Sequence, residues 1–217
     1  MSSRLVTVVL LAVLGWGAVE LVPRVQSYPL PGNQRGYAPE QPIAFSHRLH
    51  AGDLKIACLY CHFAAEQSRH AGLPAASVCM NCHRVVPASW EVTFHEYLEA
   101  LRTNQAPKRV VSPEMQKLYD SLALDGQLQP DPTRSPYPIP WVKVHNLPAY
   151  ACFDHRAHVN SGVNCKHCHG PVETMDRVRQ VEDLSMGWCV DCHRHPERAA
   201  TADKSPRPST DCAVCHY

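Results

Sequence analysis

The longest apolar stretch of the chain lies at its N-terminus. Residues Leu5–Val22 form a run of 18 residues whose only charge is Glu20. A run of this length is borderline between a signal sequence and a membrane-spanning helix. Because no small-x-small cleavage site follows the run, we expect residues 1–24 to form a retained membrane anchor. A cleaved export signal is the alternative interpretation.

The charge next to this run predicts its orientation. Arg4 precedes the apolar residues in an otherwise neutral N-terminus. Positive charge favours the cytoplasmic side of a membrane, so the rest of the chain is predicted to lie outside the cytoplasm. An anchor and an export signal both send the chain across the membrane.

Beyond the apolar run, the pattern predicts short helices, much irregular chain and almost no β-structure. A helix is expected from Ala88 to Arg102, and a second is expected to start at Ser112 as N-cap with Pro113 at its first position and to run to about Leu124. Residues 103–140 contain seven prolines, which indicates extended chain outside the core. We expect this Pro-rich connector to wrap the rest of the molecule, to meet a partner subunit or to be a mobile surface excursion.

The composition departs from that of an ordinary soluble chain in cysteine and histidine. The 217 residues include 11 Cys and 14 His, but only 7% are aromatic. Since large apolar side chains are scarce, we expect another group to fill part of the interior. The 21 Lys and Arg nearly balance the 20 Asp and Glu and form no basic stripe, which argues against nucleic-acid binding.

Ten of the eleven cysteines form five C-x-x-C pairs, and a histidine follows each pair directly. Two thiols at this spacing can each form a thioether to one porphyrin, and the next residue is then held under the iron. We therefore predict five covalently attached haems c, with the motif histidines as iron ligands. In chain order, the motifs are Cys58, Cys61 and His62; Cys79, Cys82 and His83; Cys165, Cys168 and His169; Cys189, Cys192 and His193; and Cys212, Cys215 and His216.

Other uses of paired cysteines explain this pattern less well. Zinc knuckles close a tetrahedral site with a second Cys/His pair, which five identical units ending in histidine fit poorly. A disulfide framework gives no reason for the histidine, and a thioredoxin-like site needs a βαβ context. The remaining Cys152 is predicted to be a small buried apolar residue.

An F-x-H-x-x-H segment occurs twice, at Phe45–His50 and at Phe153–His158, shortly before the first and third motifs. This repeat divides the chain into dihaem units at 25–102 and 141–200, with a C-terminal strap at 201–217 that carries the fifth haem. Histidines three positions apart on a helical turn can reach two different haems, and the phenylalanine is expected on a porphyrin face. The predicted sixth iron ligands are His47, His50, His155 and His158.

The fifth haem requires one more ligand. We favour His145, because it precedes the second F-x-H-x-x-H segment in a stretch bounded by prolines. A methionine ligand would instead give a haem of higher potential. The alternatives are His70, His95, His167, His195, Met175 and Met186.

Iron with a protein ligand on both faces has no open position for a substrate, which favours electron transfer over catalysis. Packing five haems on so short a chain also forces short separations and hence a conducting series. We therefore expect no substrate site on this chain. A multihaem reductase with an open haem and a redox-inactive metal scaffold are the alternatives from other classes.

Several segments together resemble the pentahaem cytochrome c subunit of alternative complex III, a class III-like multihaem cytochrome c, over nearly the whole chain. Besides the apolar N-terminus, they are Q-P-I-A-F-S-H-R-L-H (Gln41–His50), C-M-N-C-H (Cys79–His83), W-V-K-V-H-N-L-P (Trp141–Pro148), and C-H-G-P-V-E-T-M-D followed by M-G-W-C-V-D-C-H-R (Cys168–Arg194).

This resemblance implies a place in a quinol:acceptor oxidoreductase of a bacterial respiratory or photosynthetic membrane. The implied partners are an iron–sulfur and molybdopterin-like subunit, a multispanning quinol-binding subunit and a periplasmic electron carrier. The chain would cross the bacterial inner membrane once, with its haems on the periplasmic side. A stand-alone membrane-anchored quinol dehydrogenase is disfavoured because its first haem would follow the anchor closely, whereas Cys58 lies 36 residues beyond Val22.

The motifs predict the haem content of the mature chain. We expect five covalent haems c by intact-mass measurement, because each motif supplies two thiols and a histidine. Cys61→Ala is expected to leave one haem on a single thioether or to lose that haem. Four or fewer haems on a fully matured wild-type chain would contradict the assignment.

Overall fold

The computed structural model describes residues 6–7, 9–17, 19, 34–199 and 208–216. Short helices joined by irregular chain make up this part of the protein. No β-strand forms within it; an isolated antiparallel bridge joins Leu124 and Pro130, and Val163 is a further bridge residue. The predicted helical and nearly sheet-free fold is therefore confirmed for these residues.

Most of the helices between residues 34 and 216 are short. The α-helices there are α1 (Cys58–Cys61), α2 (Ala76–His83), α3 (Trp90–Thr103), α4 (Pro113–Ser121), α5 (His155–Asn160), α6 (Cys165–His169), α7 (Met186–Arg194) and α8 (Cys212–Cys215). A π-helical turn covers Arg48–Asp53, and 3₁₀ turns cover Phe63–Glu66, Val172–Thr174 and Pro196–Arg198.

Half of the predicted anchor at residues 1–24 lies outside the described residues. Residues 6–7, 9–17 and 19 are helical. Within the part of the chain that the structure describes, no helix combines the length and apolarity needed to cross a membrane. Of the predicted strap at 201–217, the structure describes residues 208–216.

Helix α4 begins where the sequence predicts but ends three residues earlier than expected. Ser112 caps α4 through its side chain, and Pro113 occupies the first turn, as predicted. The helix ends at Ser121 rather than near Leu124. The reason is Ala123, whose φ of 53° is left-handed and cannot continue an α-helix.

The Pro-rich connector at 103–140 contributes to the core, so the expectation that it lies outside is wrong. Leu118 and Tyr119 of α4 are only 2% and 3% exposed and pack with Ile43 and with Met80 of α2. The apolar face of α4 covers α2 because the chain has few other large apolar groups to bury there.

The connector is also bonded to the second motif. The Tyr119 hydroxyl donates a 2.7 Å hydrogen bond to the carbonyl oxygen of His83. The Arg109 guanidinium lies 5.7 Å from the centre of the Tyr119 ring, a cation–π contact. The connector thus supports the helix that carries Cys79 and Cys82.

The two predicted dihaem units touch beside the first F-x-H-x-x-H segment. Arg48 donates through Nε to Asp176 Oδ2 at 2.9 Å, and its backbone N–H donates to the carbonyl of Met175 at 2.9 Å. Ser46 Oγ donates to Asp176 Oδ1 at 2.7 Å. A Cβ atom on Gly52 would lie 2.3 Å from the carbonyl oxygen of Glu173, so this approach requires glycine.

Gly170, directly after His169, makes another close approach and allows a test of whether such packing requires glycine. Its φ is 69°, and a Cβ there would lie 2.6 Å from Val181 Cγ2. Gly170→Ala is expected to lower the free energy of unfolding by about 1–3 kcal/mol, from backbone strain and displacement of Val181. Thermal unfolding of the matured protein measures this effect.

Gly126→Ala is the matched control, because a Cβ atom there meets nothing within 4 Å. It should leave the unfolding temperature close to that of the wild type. Equal destabilisation by both substitutions would refute the importance of the Gly170 conformation.

Candidate functional site

Four pairs of facing imidazole rings form the centre of the candidate site. Each pair joins one histidine of a C-x-x-C-H motif to one histidine of an F-x-H-x-x-H segment. The ring centroids are 6.5 Å apart for His47 and His62, 6.1 Å for His50 and His83, 6.3 Å for His155 and His169, and 6.0 Å for His158 and His193.

These spacings match one metal ion between two imidazoles on opposite sides. With metal–nitrogen bonds of about 2.0–2.1 Å, two opposed Nε2 ligands place their ring centroids about 6.3 Å apart. The described part of the chain contains no group of three or more His, Cys, Asp or Glu side chains that could hold a metal ion. Each pair could supply two ligands to a metal ion whose other four ligands belong to a macrocycle, as in bis-histidine haem.

The pairing shows which predicted ligand lies opposite the histidine of which motif. His47 and His50 face the first and second motifs, and His155 and His158 face the third and fourth. In each F-x-H-x-x-H segment, the first histidine thus faces the earlier motif and the second histidine faces the later one. The structure brings these eight histidines together, while their role as iron ligands stays a prediction.

Helical turns place the two histidines of each segment on one side. His47 precedes the π-helical turn Arg48–Asp53 as its N-cap residue, whereas His155 and His158 lie on α5. Asp154 caps α5 by accepting a 2.9 Å hydrogen bond from the backbone N–H of Arg156. Residues three apart on an α-helical turn lie on the same side, and His47 and His50 both contact the ring of Phe45.

The phenylalanine of each segment packs on histidine. Phe45 stacks on His50 with ring centroids 4.4 Å apart, and Phe153 lies 4.4 Å from His158. Each phenyl ring also meets the first histidine of its segment edge-on, at 4.9 Å and 4.8 Å. The predicted contact of each phenylalanine with a porphyrin face stays a prediction, and the structure shows that each ring also holds the planes of both imidazoles.

Each motif lies on a short helix that turns both cysteines to one side. In α1, α6 and α8 the first cysteine begins the helix, so the second follows nearly one turn later. Polar caps start three of the motif helices: Asn164 for α6, Ser185 for α7 and Asp211 for α8. These caps fix the first residue of each helix and thereby the positions of the cysteine thiols on it.

Backbone carbonyls orient most of the motif histidines. The contacts from Nδ1 are His62 to Gly72 at 2.8 Å, His83 to Val86 at 2.8 Å, His193 to Ser209 at 2.7 Å and His216 to Tyr150 at 3.1 Å. A carbonyl only accepts, so Nδ1 carries the proton in each case and the lone pair of Nε2 is available for a metal.

The same orientation is found for three predicted sixth ligands. Their Nδ1 atoms donate to carbonyls from His50 to Ser46 at 2.8 Å, from His155 to Arg69 at 3.0 Å and from His158 to Asp154 at 2.8 Å. His47 Nδ1 is buried, and no hydrogen-bond partner for it lies in the described part of the chain.

Burial keeps His47 of the first pair and His169 of the third pair neutral at ordinary pH. It lowers the pKa of His47 to about 4, with His62 and His50 adding to the effect. Burial likewise lowers the pKa of His169 to about 3, reinforced first by His145 and then by His155. A neutral imidazole is the form that coordinates a metal ion.

The thiols of neighbouring motifs lie close together. Burial raises the pKa of Cys79, Cys165, Cys168 and Cys189, and in each case a thiol from another motif adds to the increase. These pairs are Cys79 with Cys61, Cys165 with Cys58, Cys168 with Cys192, and Cys189 with Cys215. The motifs therefore form one spatial series in the order second, first, third, fourth, fifth.

The structure does not bring His145 to the fifth motif. Its Nε2 lies 3.2 Å from Nδ1 of His169, and the two rings are 4.3 Å apart. Against His216 the structure places Tyr150, with ring centroids 5.9 Å apart. His145 as ligand of a fifth haem stays a prediction that this geometry does not support.

The alternative ligands for the fifth motif have other surroundings. Met175 is 4% exposed, and its carbonyl oxygen accepts a hydrogen bond from the backbone N–H of Arg48. His167 stacks on Trp188, with ring centroids 5.7 Å apart. His195 lies 3.5 Å from Glu197, Met186 is 67% exposed, and His70 and His95 are exposed.

Cys152 has a backbone role beside the fifth motif. Its N–H donates a 2.8 Å hydrogen bond to the carbonyl of Cys215. The residue is half-buried rather than fully buried as predicted. It therefore helps to hold α8 against the chain that precedes the second F-x-H-x-x-H segment.

Exposed apolar side chains surround the motifs. Leu54, Tyr60 and Phe63 beside the first motif are 60%, 49% and 55% exposed, and Val85 after the second motif is 75% exposed. Exposed apolar side chains next to attachment cysteines suit a large apolar group bound between them. The residues present therefore fit haem c.

Comparison with known proteins agrees with this chemistry. Residues 151–217 match the family described as cytochrome c7 and related cytochrome c. The chain is also 24% identical over 197 residues to the multihaem cytochrome c subunit of menaquinone reductase from Nitratidesulfovibrio vulgaris (strain Hildenborough), a match that covers 82% of this chain and 77% of that protein.

Motifs, imidazole pairs and comparisons together define an electron-transfer protein with covalently bound haem. The chain is similar to a multihaem cytochrome c subunit over most of its length, and its C-terminal part is similar to cytochrome c7 and related cytochrome c.

The imidazole pairs predict spin states. His158→Ala removes the ring that faces His193, so one haem of the matured protein should lose its sixth ligand and become high-spin. Absorption and EPR spectra of the ferric protein measure this change. His95→Ala, on the exposed surface of α3, should leave every haem unchanged. An unaltered low-spin spectrum for His158→Ala would disprove the pairing with His193.

Proposed function

We propose that this chain is a pentahaem cytochrome c that carries electrons within a quinone-linked membrane oxidoreductase. The observation that supports this most directly is the set of four imidazole pairs at 6.0–6.5 Å. Each bound haem supplies an iron that takes up and releases one electron. Because both sides of four positions carry a histidine, this part of the chain favours electron transfer over catalysis on a small substrate.

The spatial series of motifs gives the proposed conducting order. Thiols of successive motifs are neighbours from the second motif through the first, third and fourth to the fifth. The second and fifth motifs therefore stand at opposite ends of the series. We assign the exchange of electrons with partner proteins to these two ends.

The proposed complex is alternative complex III or a close relative of it. The segments from Gln41 to Arg194 support this assignment through their resemblance to the pentahaem subunit of that complex. In this proposal, residues 1–24 anchor the chain in the bacterial inner membrane, and the haems face the periplasm. Iron–sulfur and quinone-binding subunits are the partners, and electrons leave quinol for a periplasmic carrier.

The opposite direction is the second candidate. The N. vulgaris relative is the cytochrome subunit of a menaquinone reductase, an activity in which quinone is the acceptor. Under this alternative, a periplasmic donor reduces the chain and its partners reduce menaquinone. The chain's own role, conduction between two partners, is the same in both directions.

Affinity purification of the full chain from its native membrane tests the proposed function. We expect several subunits to co-purify and the haems to become reduced when menadiol is added. Complete reoxidation by an oxidised periplasmic cytochrome would support the quinol-oxidising direction. Rapid menadione reduction with reduced periplasmic cytochrome, without the reverse activity, would support the menaquinone-reducing direction.

Two outcomes would contradict the proposal. Menadiol oxidation by the purified single chain, without partner subunits, would indicate a stand-alone quinol dehydrogenase. Haems that neither menadiol nor the periplasmic cytochrome can reduce would remove the link to quinones. The complex carrying His95→Ala serves as the matched control for expression and tagging.

A further inference from the structure

His145 contacts one of the motif histidines edge to face. Its Nε2 atom lies 3.2 Å from Nδ1 of His169, and the two ring planes are 81° apart. His169 faces His155 on its other side, with ring centroids 6.3 Å apart and planes within 10°. His145 therefore meets His169 on the side away from the predicted iron position.

This contact distinguishes the third motif from the others. The Nδ1 atoms of His62, His83, His193 and His216 meet backbone carbonyls, whereas that of His169 meets a side chain. If His169 binds iron through Nε2, the ring proton is on Nδ1, and the bond runs from His169 to His145. An imidazole nitrogen is a more basic acceptor than an amide carbonyl.

Polar contacts on both sides hold the segment that carries His145. The side chain of Gln41 makes two hydrogen bonds to the backbone of Val142, at 2.8 Å and 2.9 Å. The backbone N–H of Asn146 donates to Oε1 of Gln180 at 3.4 Å, and Gln180 is fully buried. His145 is thus fixed between two anchored neighbours.

We propose that His145 is a positioning residue for the third haem, acting as the hydrogen-bond acceptor that orients His169 and makes it a more basic iron ligand. A more basic ligand stabilises ferric over ferrous iron, so the contact lowers the reduction potential of that haem. The inference rests on the proposed haem at Cys165 and Cys168. The haem whose reduction potential is lowered would then lie at the middle of the proposed conducting series.

Substitution at His145 in the full, matured chain tests this role. His145→Leu keeps most of the side-chain volume but offers no acceptor, whereas His145→Gln retains an oxygen near the position of Nε2. We expect the leucine variant to shift one haem to higher potential while all haems stay low-spin. The glutamine variant should restore most of the wild-type potential, and His95→Ala should change nothing. Redox titration followed by absorption and EPR measures these effects.

Three outcomes would overturn the proposal. A high-spin haem in His145→Leu would make His145 an iron ligand, as the sequence predicted. Equal shifts in the leucine and glutamine variants would show a packing effect, and unchanged potentials in the leucine variant would show no role.

Failure of the proposed function would be visible separately. Peptide mass mapping of the wild type must show haem on Cys165 and Cys168, and its absence there would refute the haem assignment itself. Should His145→Leu fail to mature, His145→Ala provides a second variant without an acceptor, to be read against His145→Gln in the same titration.

Discussion

The rest of the structure depends on opposed imidazole rings whose centroids lie 6.0–6.5 Å apart, the spacing that one metal ion between two Nε2 atoms would require. Few large side chains are buried in the described part of the chain; Leu118 and Tyr119 are among them. Short helices such as α1 and α6 bury little surface and would be marginal alone. Their ends are fixed instead by caps, by carbonyls that hold histidine rings and, in the proposed holoprotein, by two thioethers and an iron–nitrogen bond at each motif. In the proposed holoprotein, the polypeptide surrounds the haems, and the haems fill much of the interior.

The parts that could be predicted from the sequence are those encoded by close neighbours in the chain. The five motifs, the two F-x-H-x-x-H segments and the start of α4 at Ser112 all depend on spacings of a few residues, and periodicity sufficed to predict α3. The burial of α4 could not be predicted in this way. Seven prolines indicated exposed chain, but the contact of Tyr119 with His83 joins residues 36 positions apart, and no local pattern encodes it.

The same limit applies to the candidate site. Sequence spacing predicted His47, His50, His155 and His158 as a set, and the structure adds which motif each one faces. The carbonyls that accept from the motif histidines had no sequence signal, because every residue has a carbonyl and only the fold selects Gly72 or Ser209. His145 stood out in the sequence as a histidine in a Pro-bounded segment. Its contact with His169 depends on the long-range bonds of Gln41 and Gln180, which the sequence does not reveal.

The carbonyl of Arg69 accepts hydrogen bonds from both the backbone N–H and Nδ1 of His155, at 3.1 Å and 3.0 Å. A residue of the N-terminal half therefore sets the ring of a histidine in the C-terminal half. The segment that matches cytochrome c7 and related cytochrome c, residues 151–217, does not contain this carbonyl and lacks both of these hydrogen bonds to His155. The ring that faces the third motif is therefore held in place only when the segment around Arg69 is folded as well.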